Sequence, residues 1–426
     1  MAGEWLDVAL EDVADELTVG YVGSMASEYV DEGVPFLRSL NVEPLRINKS
    51  DLKFITPEFH RRIQKSRLTP GDVVIVRTGK PGACSVVPDW LPDANCSDLV
   101  IIRCGKQLNN RFLAYYVNTV ASGHIAAHLV GAVQQHFNVG SARTLRLKLP
   151  PLAEQRAIAA VLGALDDKIE LNRRMNATLE AMARVLFQSW FVDFDPVRAK
   201  QEGRKPTGMD DATAALFPEY LEDSPLGHIP IGWKAGTVIE CFNLTMGQSP
   251  PGETYNEEGN GMPLYQGRTD FGFRFPNRRI FCTTPTRYAK SGDTLVSVRA
   301  PVGDINMANE ECCIGRGVAA VRHKSGATSF TYHSMANLYP DFARFEAEGT
   351  VFGSINKDGF EKLPSVIPPD EIVAAYERQA GPLDEQIRVL ENQSRTLATL
   401  RDTLLPKLLS GELRIPDAER AISAVA

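Results

Sequence analysis

Two stretches of the sequence carry groups of basic side chains that could bind an anionic polymer. Residues 43–80 contain nine lysines and arginines against four acidic residues, and residues 262–303 contain seven against two. Lysine and arginine contact phosphate, arginine also pairs with guanine, and asparagine and glutamine pair with adenine. The two stretches together predict nucleic-acid binding, although either stretch alone is more typical of an ordinary solvated face.

The candidate contacts combine these cations with a polar loop further along the chain. The first set is Arg61, Arg62, Lys65, Arg77 and Lys80, with Gln134, Gln135, His136 and Asn138 in the loop. The second set is Tyr265, Arg268, Arg274, Arg278, Arg279 and Arg299, with Ser354, Asn356 and Lys357 in the loop. Asn138 and Asn356 could equally form structural turns, and Arg77 and Arg299 follow strand-like runs and could form internal ion pairs.

The composition is that of a globular protein of two or three domains. The chain has 426 residues, is 43% hydrophobic and has a formal net charge of −7. A negative total does not exclude DNA binding, because charges separated by more than ~8 Å are screened at physiological salt and local basic patches dominate. Seven cysteines form no Cys-x-x-Cys pair, so we expect no disulfide framework and a reducing cytoplasm.

The motifs that an enzyme of nucleic-acid modification would need are incomplete. A DNA amino-methyltransferase loop ends in an aromatic residue that stacks on the flipped base, whereas the nearest match is Ser249-Pro250-Pro251-Gly252. No phosphate-binding loop of the Walker type occurs, and the seven histidines have no metal-ligand spacing. We therefore expect no catalytic residues, no bound metal and no cofactor in this chain.

The elements that position the candidate residues occur twice. A constant separation of 218 residues aligns Leu149-Pro150-Pro151 with Ile367-Pro368-Pro369 and Leu165-Asp166 with Leu383-Asp384. Short β-branched runs at 73–76 and 317–321 indicate strands, and residues 111–122 and 330–338 indicate helices. The sequence thus predicts two similar α+β modules, each followed by a helix, with a linker around a weakly helical centre at 212–216.

The helix that follows each module carries an apolar stripe with alternating three- and four-residue steps. This spacing over about four heptads is typical of a coiled-coil seam, and residues 164–190 and 382–410 would each span ~40 Å. Gly163 and the Gly381-Pro382 pair predict a break before each long helix. The seam positions are Leu165, Ile169, Asn172, Asn176, Leu179, Leu186, Leu383, Ile387, Leu390, Leu397 and Leu404.

Two arrangements of the stripes are possible. Each stripe could pack on its own module, or the two helices could pair with each other. Asn172 and Asn176 lie in the middle of the seam, where polar residues commonly fix the register of paired helices. The sequence therefore favours an antiparallel intramolecular coiled coil, with the two modules related by an approximate two-fold axis.

Four motifs together resemble the specificity subunits of type I restriction-modification systems. They are LPPLAEQRAI at residues 149–158, SWFVDFDPV at 189–197, IPIGW at 229–233 and LLPKLLSGEL at 404–413. The resemblance covers nearly the whole chain and includes the order of two target-recognition domains alternating with two helical regions. The second junction reads Pro368-Pro369-Asp370-Glu371-Ile372 and lacks the Glu154-Gln155 pair of the first, so any partner contact made by that pair need not be duplicated.

The resemblance implies a non-catalytic DNA-recognition subunit in a prokaryotic cytoplasm. Each globular domain would read one half of a split double-stranded DNA target, and the helices would set the spacing and bind two methyltransferase subunits. Restriction subunits would join them, and S-adenosylmethionine and ATP would bind to the partner subunits. The implied boundaries are 1–150 and 226–368 for the target-recognition domains, 151–200 and 369–413 for the helical regions, 201–225 for the linker and 414–426 for a tail.

A protein-binding scaffold is the alternative function. Such a scaffold would have negligible or salt-insensitive affinity for DNA, whereas a DNA reader loses affinity steeply as salt rises, because its binding releases counterions.

Overall fold

The chain builds one arrangement of strands and helices twice. The computed structural model describes residues 5–129, 136–347 and 353–423. The chain divides into two units, one formed by Met1–Glu170 with Ser394–Ala426 and the other by Leu171–Gln393. Each unit contains one α+β module and a part of each of two long helices.

The first module, in the first unit, contains thirteen short strands and four short helices among the described residues. Its strands are β1 (Leu6–Ala9), β2 (Ala14–Val19), β3 (Tyr29–Val30), β4 (Val34–Leu37), β5 (Val42–Glu43), β6 (Arg46–Ile47), β7 (Lys53–Ile55), β8 (Arg67–Leu68), β9 (Val73–Val76), β10 (Cys84–Val86), β11 (Ala94–Cys96), β12 (Leu99–Cys104) and β13 (Arg146–Leu149). Its helices are α1 (Pro57–Arg62), α2 (Asn110–Thr119), α3 (Ser122–Ala127) and α4 (Val139–Arg143).

Between the modules the chain forms the long helix α5 (Leu152–Phe191), the short helices α6 (Asp195–Gln201) and α7 (Asp211–Leu216), and the hairpin β14 (Leu221–Ser224) with β15 (Gly227–Pro230). Helix α7 occupies the region where the sequence predicts a weakly helical centre in the linker.

The second module, in the second unit, has the same kinds of elements. Its strands are β16 (Lys234–Thr237), β17 (Phe242–Met246), β18 (Tyr255–Asn256), β19 (Met262–Tyr265), β20 (Phe281–Cys282), β21 (Tyr288–Ala289), β22 (Thr294–Ser297), β23 (Ile305–Met307), β24 (Cys312–Ile314), β25 (Val318–His323) and β26 (Pro364–Ile367). Its helices are α8 (Val238–Cys241), α9 (Thr328–Asn337), α10 (Tyr339–Ala347) and α11 (Lys357–Glu361), and α12 (Asp370–Ser410) and α13 (Ile415–Ser423) follow.

The three main sheets have the same strand order in both modules, and the first module has the additional pair β5-β6. The first has a four-stranded sheet β10-β9-β12-β2, a five-stranded sheet β3-β7-β4-β11-β8 and the pair β1-β13. The second has β23-β22-β25-β17, β18-β20-β19-β24-β21 and β16-β26. One strand pair in each five-stranded sheet is parallel, β4 with β11 and β19 with β24. The strand-by-strand correspondence confirms the internal repeat and the α+β class.

In the first unit the beginning of α5 packs against the end of α12. Leu165 and Ile169 share one buried core with Leu397 and Leu404. Asp166 on α5 accepts a hydrogen bond from Arg401 on α12 at 2.6 Å. The two seam segments are therefore in contact with each other and also with the core of the first module.

In the second unit the end of α5 packs against the beginning of α12. The amide of Asn172 donates to the side chain of Gln393 at 2.9 Å, and the hydroxyl of Tyr376 donates to the carbonyl of Ala183 at 3.2 Å. The later residue of α5, Ala183, contacts the earlier residue of α12, Tyr376, so the two helices run antiparallel. This confirms the predicted intramolecular pairing, and Asn172 is fully buried in it.

The expected breaks before the long helices are wrong. Both α5 and α12 are continuous, through Gly163 and through Gly381-Pro382 respectively. A proline inside a helix costs about 3 kcal/mol because it removes one backbone hydrogen bond. The packing of the fully buried Tyr376 and Ala380 on one side of Pro382 and Ile387 on the other holds α12 helical despite that cost.

The predicted C-terminal tail at 414–426 contains helix α13. Gly411, with φ +77°, lies directly after α12, in the left-handed conformation in which glycine commonly ends a helix. Ala418 of α13 is fully buried in the core of the first unit. In the described part of the chain, no helix is long and apolar enough to cross a lipid bilayer.

A buried histidine in the second unit makes its stability depend on pH. Burial lowers the pKa of His333 to about 4, and its ring lies against Phe187, Tyr332 and Tyr376. Because the folded pKa is below the unfolded one, stability is complete above pH 6.5 and decreases as pH falls towards 4. One pKa unit corresponds to 1.36 kcal/mol, so we expect this histidine to contribute a loss of up to about 3 kcal/mol.

Denaturant unfolding of the wild-type chain and of a His333→Phe variant, measured between pH 7 and pH 4, checks this expectation. The variant should lose less stability than the wild type over that range. A matched His228→Phe variant, which alters an exposed histidine paired with Asp223 at 2.9 Å, should behave as the wild type does. Equal pH dependence in all three proteins would contradict the assignment.

Candidate nucleic-acid interface

The loops at one end of the first module's sheets lie side by side. Strand β12 is antiparallel to β2 and to β9, so the end of each of those strands flanks the start of β12. The amide of Gly20 donates to the carbonyl of Leu99 at 2.8 Å, and that of Ser97 donates to the carbonyl of Leu37 at 3.1 Å. We call this surface the first edge, formed by residues 20–28, 38–39, 77–82 and 97–98.

Most cations predicted for the first module are exposed on or beside this edge. Arg61, Arg62 and Lys65 lie on α1 and in the turn after it, and α1 adjoins the edge because the rings of Tyr21 and Phe59 are 5.3 Å apart. Lys80 is exposed in the loop after β9. The structure therefore brings these four cations to one side of the module.

The cations on α1 are held in weak surface ion pairs. Arg61 pairs with Glu58 at 2.9 Å, and Arg62 pairs with Glu28 at 3.5 Å. Exposed pairs of this kind contribute about 0–1 kcal/mol, so exchanging a carboxylate partner for a phosphate group costs little.

Arg77 is less accessible than the other predicted cations of the first module. Its side chain is 18% exposed and lies 3.9 Å from the Asp98 carboxylate. Its Nε donates to the carbonyl of Phe137 at 3.3 Å. These contacts favour the internal role that the sequence left open for Arg77.

The second module has a corresponding second edge, formed by residues 247–249, 266–268, 298–304 and 315–317. The amide of Gly247 donates to the carbonyl of Val318 at 2.9 Å, and that of Gly315 donates to the carbonyl of Tyr265 at 2.8 Å. Arg268 pairs with Asp304 at 2.9 Å, which joins two of the four segments.

The cations predicted for the second module divide into exposed and buried groups. Arg268, Arg278, Arg279 and Arg299 are exposed. Arg278 pairs with Glu310 at 2.6 Å and Arg279 with Asp270 at 2.8 Å. Tyr265, by contrast, is 2% exposed in a hydrophobic core, which leaves no surface for a ligand, so we leave it out of the interface.

Arg274 does not lie where the sequence-based hypothesis put it. Its side chain is fully buried between Glu180 of α5 and Asp384 of α12 and forms an ion pair with each. Its guanidinium carbon lies 3.9 Å from the centre of the Tyr332 ring. A guanidinium enclosed in this way cannot reach a phosphate or a base, so we assign Arg274 a structural role within the second unit.

The two polar loops are placed next to the edges in the parts that the structure describes. The amide of Phe137 donates to the carbonyl of Arg77, and Ser354 forms a β-bridge with Arg299. His136 is half-buried and Lys357 is exposed, with Lys357 3.5 Å from Glu361. Gln134 and Gln135 lie outside the described residues.

Asn138 and Asn356 have equivalent structural roles. Each is the N-cap of a short helix, where its carboxamide oxygen accepts a hydrogen bond from a backbone amide. The donors are Ser141 for Asn138 and Gly359 for Asn356, both at 2.8 Å. Because capping residues of this kind stabilise a helix start by about 1 kcal/mol, the structural alternative for these two asparagines is the one that the geometry supports.

Arg77 and Arg299 are not equivalent positions in the repeat. Phe137 donates to Arg77, whereas its counterpart Ile355 donates to Val298 at 3.1 Å. The strand registers show the same shift. Val76 pairs with Leu99 at the start of β12, and Ser297 pairs with Val318 at the start of β25, so Val76 corresponds to Ser297. Arg299 thus corresponds to Thr78, one residue further along, and its exposed side chain differs from the mostly buried one of Arg77.

Three polar residues of the second edge were missed by sequence reasoning. Gln248, Gln266 and Arg316 are exposed and occupy three of the segments that meet there. Their sequence signal is weak, because Gln248 and Arg316 lie outside the basic stretches and Gln266 is an uncharged residue within the second one. The arginine between two glycines, at 315–317, is the one local feature that could have drawn attention to this turn.

Gln155 is a structural residue rather than a surface contact. Its side chain is 1% exposed. The amide donates to the carbonyls of Gln107 and Pro150 at 2.9 and 2.8 Å, and the carbonyl oxygen accepts from the amide of Asn109 at 2.8 Å. A direct partner contact at Gln155, which the resemblance allowed, is therefore excluded in this conformation, whereas Glu154 remains half-exposed.

The described residues do not assemble a metal-binding cluster. No group of three or more histidine, cysteine or acidic side chains with metal-binding geometry occurs in the described ranges. Burial raises the pKa of Cys104 and of Cys312 to about 12, which keeps these thiols protonated. The side chains exposed at the two edges include cations and hydrogen-bonding groups, which proteins use to contact phosphates and base edges.

Comparisons with known proteins agree with this geometry. Residues 3–181 match the family described as the type I restriction modification DNA specificity domain. The chain is 25% identical to the MjaX type I restriction enzyme specificity subunit of Methanocaldococcus jannaschii over 97% of its length and 94% of that protein. It is 25% identical to the HindI specificity subunit of Haemophilus influenzae over 64% of its length and 70% of that protein.

Among solved structures, the type I restriction-modification S subunit of M. genitalium has the same fold. The TM-score is 0.56 at 16% identity, and the match covers 95% of this chain and 96% of that one. The duplicated modules and the paired helices thus occur in a chain whose sequence is similar to that of a type I restriction enzyme specificity subunit over nearly its whole length.

Proposed function

We propose that this chain is the sequence-specific DNA-binding subunit of a type I restriction-modification complex, and that each module reads one half of a split target. The observation that carries the proposal is the repetition of one fold with two edges, each of which exposes cations and the second of which also exposes carboxamides. DNA-binding proteins use cations to position the duplex and carboxamide or guanidinium groups to read base edges.

The exposed members of the predicted sets are the residues we assign to DNA. In the first module they are Arg61, Arg62, Lys65 and Lys80, with His136 beside them. In the second they are Arg268, Arg278, Arg279 and Arg299, with Ser354 and Lys357 beside them. Residues 1–150 and 226–368 are the proposed target-recognition domains.

We further propose that the paired helices α5 and α12 set the spacing between the two half-sites and bind methyltransferase subunits. Leu171, Met175, Met182 and Val185 of α5 are 38–64% exposed. Leu171, Met175 and Val185 each precede a seam position by one residue, and Met182 precedes the fully buried Ala183. These four side chains therefore lie about 100° around the helix from the seam. Large exposed apolar side chains along one face are typical of a protein interaction site.

Catalysis in this proposal belongs to the partners. The methyltransferase subunits would supply S-adenosylmethionine and base flipping, and the restriction subunits would supply ATP-driven cleavage. The specificity subunit would contribute the address on the DNA and would need no cofactor of its own.

Salt dependence tests DNA binding directly. A protein that contacts six to ten phosphates of a duplex loses about 10³–10⁵ in affinity between 50 and 200 mM salt. We expect the complex of this chain with its methyltransferase subunits to show such a loss on its target, with a slope that falls by about one in a Lys65→Ala variant. The target itself is found by sequencing methylated adenines in host DNA with and without this chain.

Two outcomes would contradict the proposal. One is DNA affinity that does not change with salt, which a protein-binding scaffold would show. The other is a methylation pattern that stays the same when the chain is deleted.

A further inference from the structure

The turn between β24 and β25 carries Arg316. Its backbone packs directly on the segment that contains Gln266, with no side chain between them. A Cβ atom on Gly317 would lie 2.2 Å from the carbonyl oxygen of Gln266, and one on Gly315 would lie 3.0 Å from the Cγ of Gln266. Only glycine permits approaches as close as the first of these. The backbone of the turn therefore packs directly on the segment that carries Gln266.

A third segment of the second edge interlocks with the same turn. A Cβ atom on Gly247 would lie 2.2 Å from the carbonyl oxygen of Gly315. The amide of Gln248 donates to the carbonyl of Ile314 at 3.0 Å, and the amide of Arg316 donates to the hydroxyl of Ser249 at 3.4 Å. These contacts thus hold the three segments together and fix the backbone positions of the residues that they carry.

Each of the three segments carries one long polar side chain, those of Gln248, Gln266 and Arg316. All three residues are exposed. Within the described ranges we find no hydrogen-bond or ion-pair partner for these side chains. Arg268, Arg278 and Arg279 of the same module are each paired with a carboxylate, so Arg316 is the more available cation.

One guanidinium beside two carboxamides suits the base edges of purines. Arginine can bind O6 and N7 of guanine through two hydrogen bonds, and glutamine can bind N6 and N7 of adenine in the same way. A carboxamide can also donate to a phosphate, but it carries no charge, so one cation beside two carboxamides suits base edges better than a row of phosphates. The fixed backbone positions of these residues also matter, because discrimination between bases requires a well-defined geometry.

The corresponding turn of the first module has different chemistry. There, Asp98 lies between β11 and β12, and its carboxylate accepts hydrogen bonds from the hydroxyls of Ser39 and Thr78. The turn carries no cation, and its charged group is occupied within the module. The two modules therefore differ at this position, as readers of two different half-sites must.

We propose that Arg316, Gln248 and Gln266 form the base-reading group of the second module and bind purines in the major groove, with Arg316 on a guanine. This inference rests on the proposed function and adds the class of base recognised by the second module. It assigns specificity to Gln248 and Arg316, which lie outside the basic stretches of the sequence, and to the uncharged Gln266 within the second stretch.

The test uses the methyltransferase complex assembled with the full chain. Binding to a randomised DNA library, followed by sequencing, gives the preference at each position of the target. Arg316→Ala should reduce discrimination at one position of one half-site by about 5- to 150-fold, and the other half-site should not change. Arg316→Lys retains the charge but loses the paired hydrogen bonds, so it should lose the same discrimination while keeping non-specific affinity.

Lys324→Ala is the matched control. It removes the same charge from an exposed residue at the opposite end of β25 and should leave the sequence preference as in the wild type. A Gln266→Ala variant should alter a position next to the one affected by Arg316→Ala.

The outcomes separate this inference from the proposed function. If the wild type selects no split target, the proposed function fails. If the wild type selects one but Arg316→Ala and Arg316→Lys both leave every position unchanged, the inference fails. A uniform loss of affinity on all sequences would also overturn it, because that result identifies a phosphate contact. A melting temperature equal to that of the wild type shows that each variant is folded.

Discussion

Replacing Arg274 by alanine is expected to destabilise the second unit by about 3–5 kcal/mol. The Arg274 side chain is fully buried with Glu180 and Asp384 on either side. Removing one partner of a buried ionic group leaves the remaining charges without compensation, and this costs more than the intact group contributed. The two carboxylates belong to α5 and α12, so their repulsion would also oppose the pairing of these helices within the unit.

Chemical denaturation of the full chain, in complex with its partners and alone, measures this effect. Arg344→Ala is the matched control, because its side chain is 73% exposed and only 3.5 Å from a single carboxylate, that of Asp341. We expect that control to change stability by less than 1 kcal/mol. Adding Glu180→Gln and Asp384→Asn to Arg274→Ala should restore part of the loss.

A loss as small as that of the control would show that Arg274 is not a structural centre of the unit. A loss that the two additional substitutions leave unchanged would show that lost packing against Tyr332, rather than uncompensated charge, is the cause.

The helical part of the fold could be predicted because its signals are long and periodic. The heptad stripe extends over about four repeats, and the same register recurs after 218 residues. The pairing of the two helices with each other could be predicted from the polar seam residue Asn172, whose side-chain amide donates to the side chain of Gln393. Continuity of the helices could not be predicted, because local rules for proline take no account of the buried side chains that hold α12 on both sides of Pro382.

The candidate interface could be predicted by region rather than by residue. Basic runs located the segments that carry Arg61 and Arg278, but a run of charges does not distinguish an exposed cation from a buried one. Burial of Arg274 depends on carboxylates 94 and 110 residues away in the chain. Arg316 is isolated in sequence and becomes part of a group only when three strand ends meet. Both cases depend on tertiary contacts that no local pattern records.

Shared topology with different edge residues explains how one fold can serve two half-sites. The cores of both modules are built from buried strands such as β9 and β22. The side chains at the equivalent turns differ, with Asp98 in one module and Arg316 in the other. Changes at the edges therefore leave the cores intact, and each module can acquire its own specificity.

Exchange of residues 1–150 for the corresponding part of another specificity subunit is expected to change one half of the methylated target and leave the other half as it was. The first module is suited to exchange because its two ends meet. Strand β1 pairs with β13, so that Leu6 lies opposite Leu149. Gln155 of α5 holds the junction through backbone groups of Gln107, Asn109 and Pro150, which a module of different sequence can supply equally well.

Sequencing of methylated adenines in cells that express the exchanged chain with the original methyltransferase subunits measures the outcome. Each wrong base pair costs about 1–3 kcal/mol, so several changed positions in one half should abolish methylation of the original target. Exchange of residues 226–368, whose ends meet through the pairing of Lys234 with Ile367, is the reciprocal experiment and should change the opposite half. Alteration of both halves by either exchange would refute independent reading by the two modules, because residues of one module would then contribute to the recognition of both half-sites.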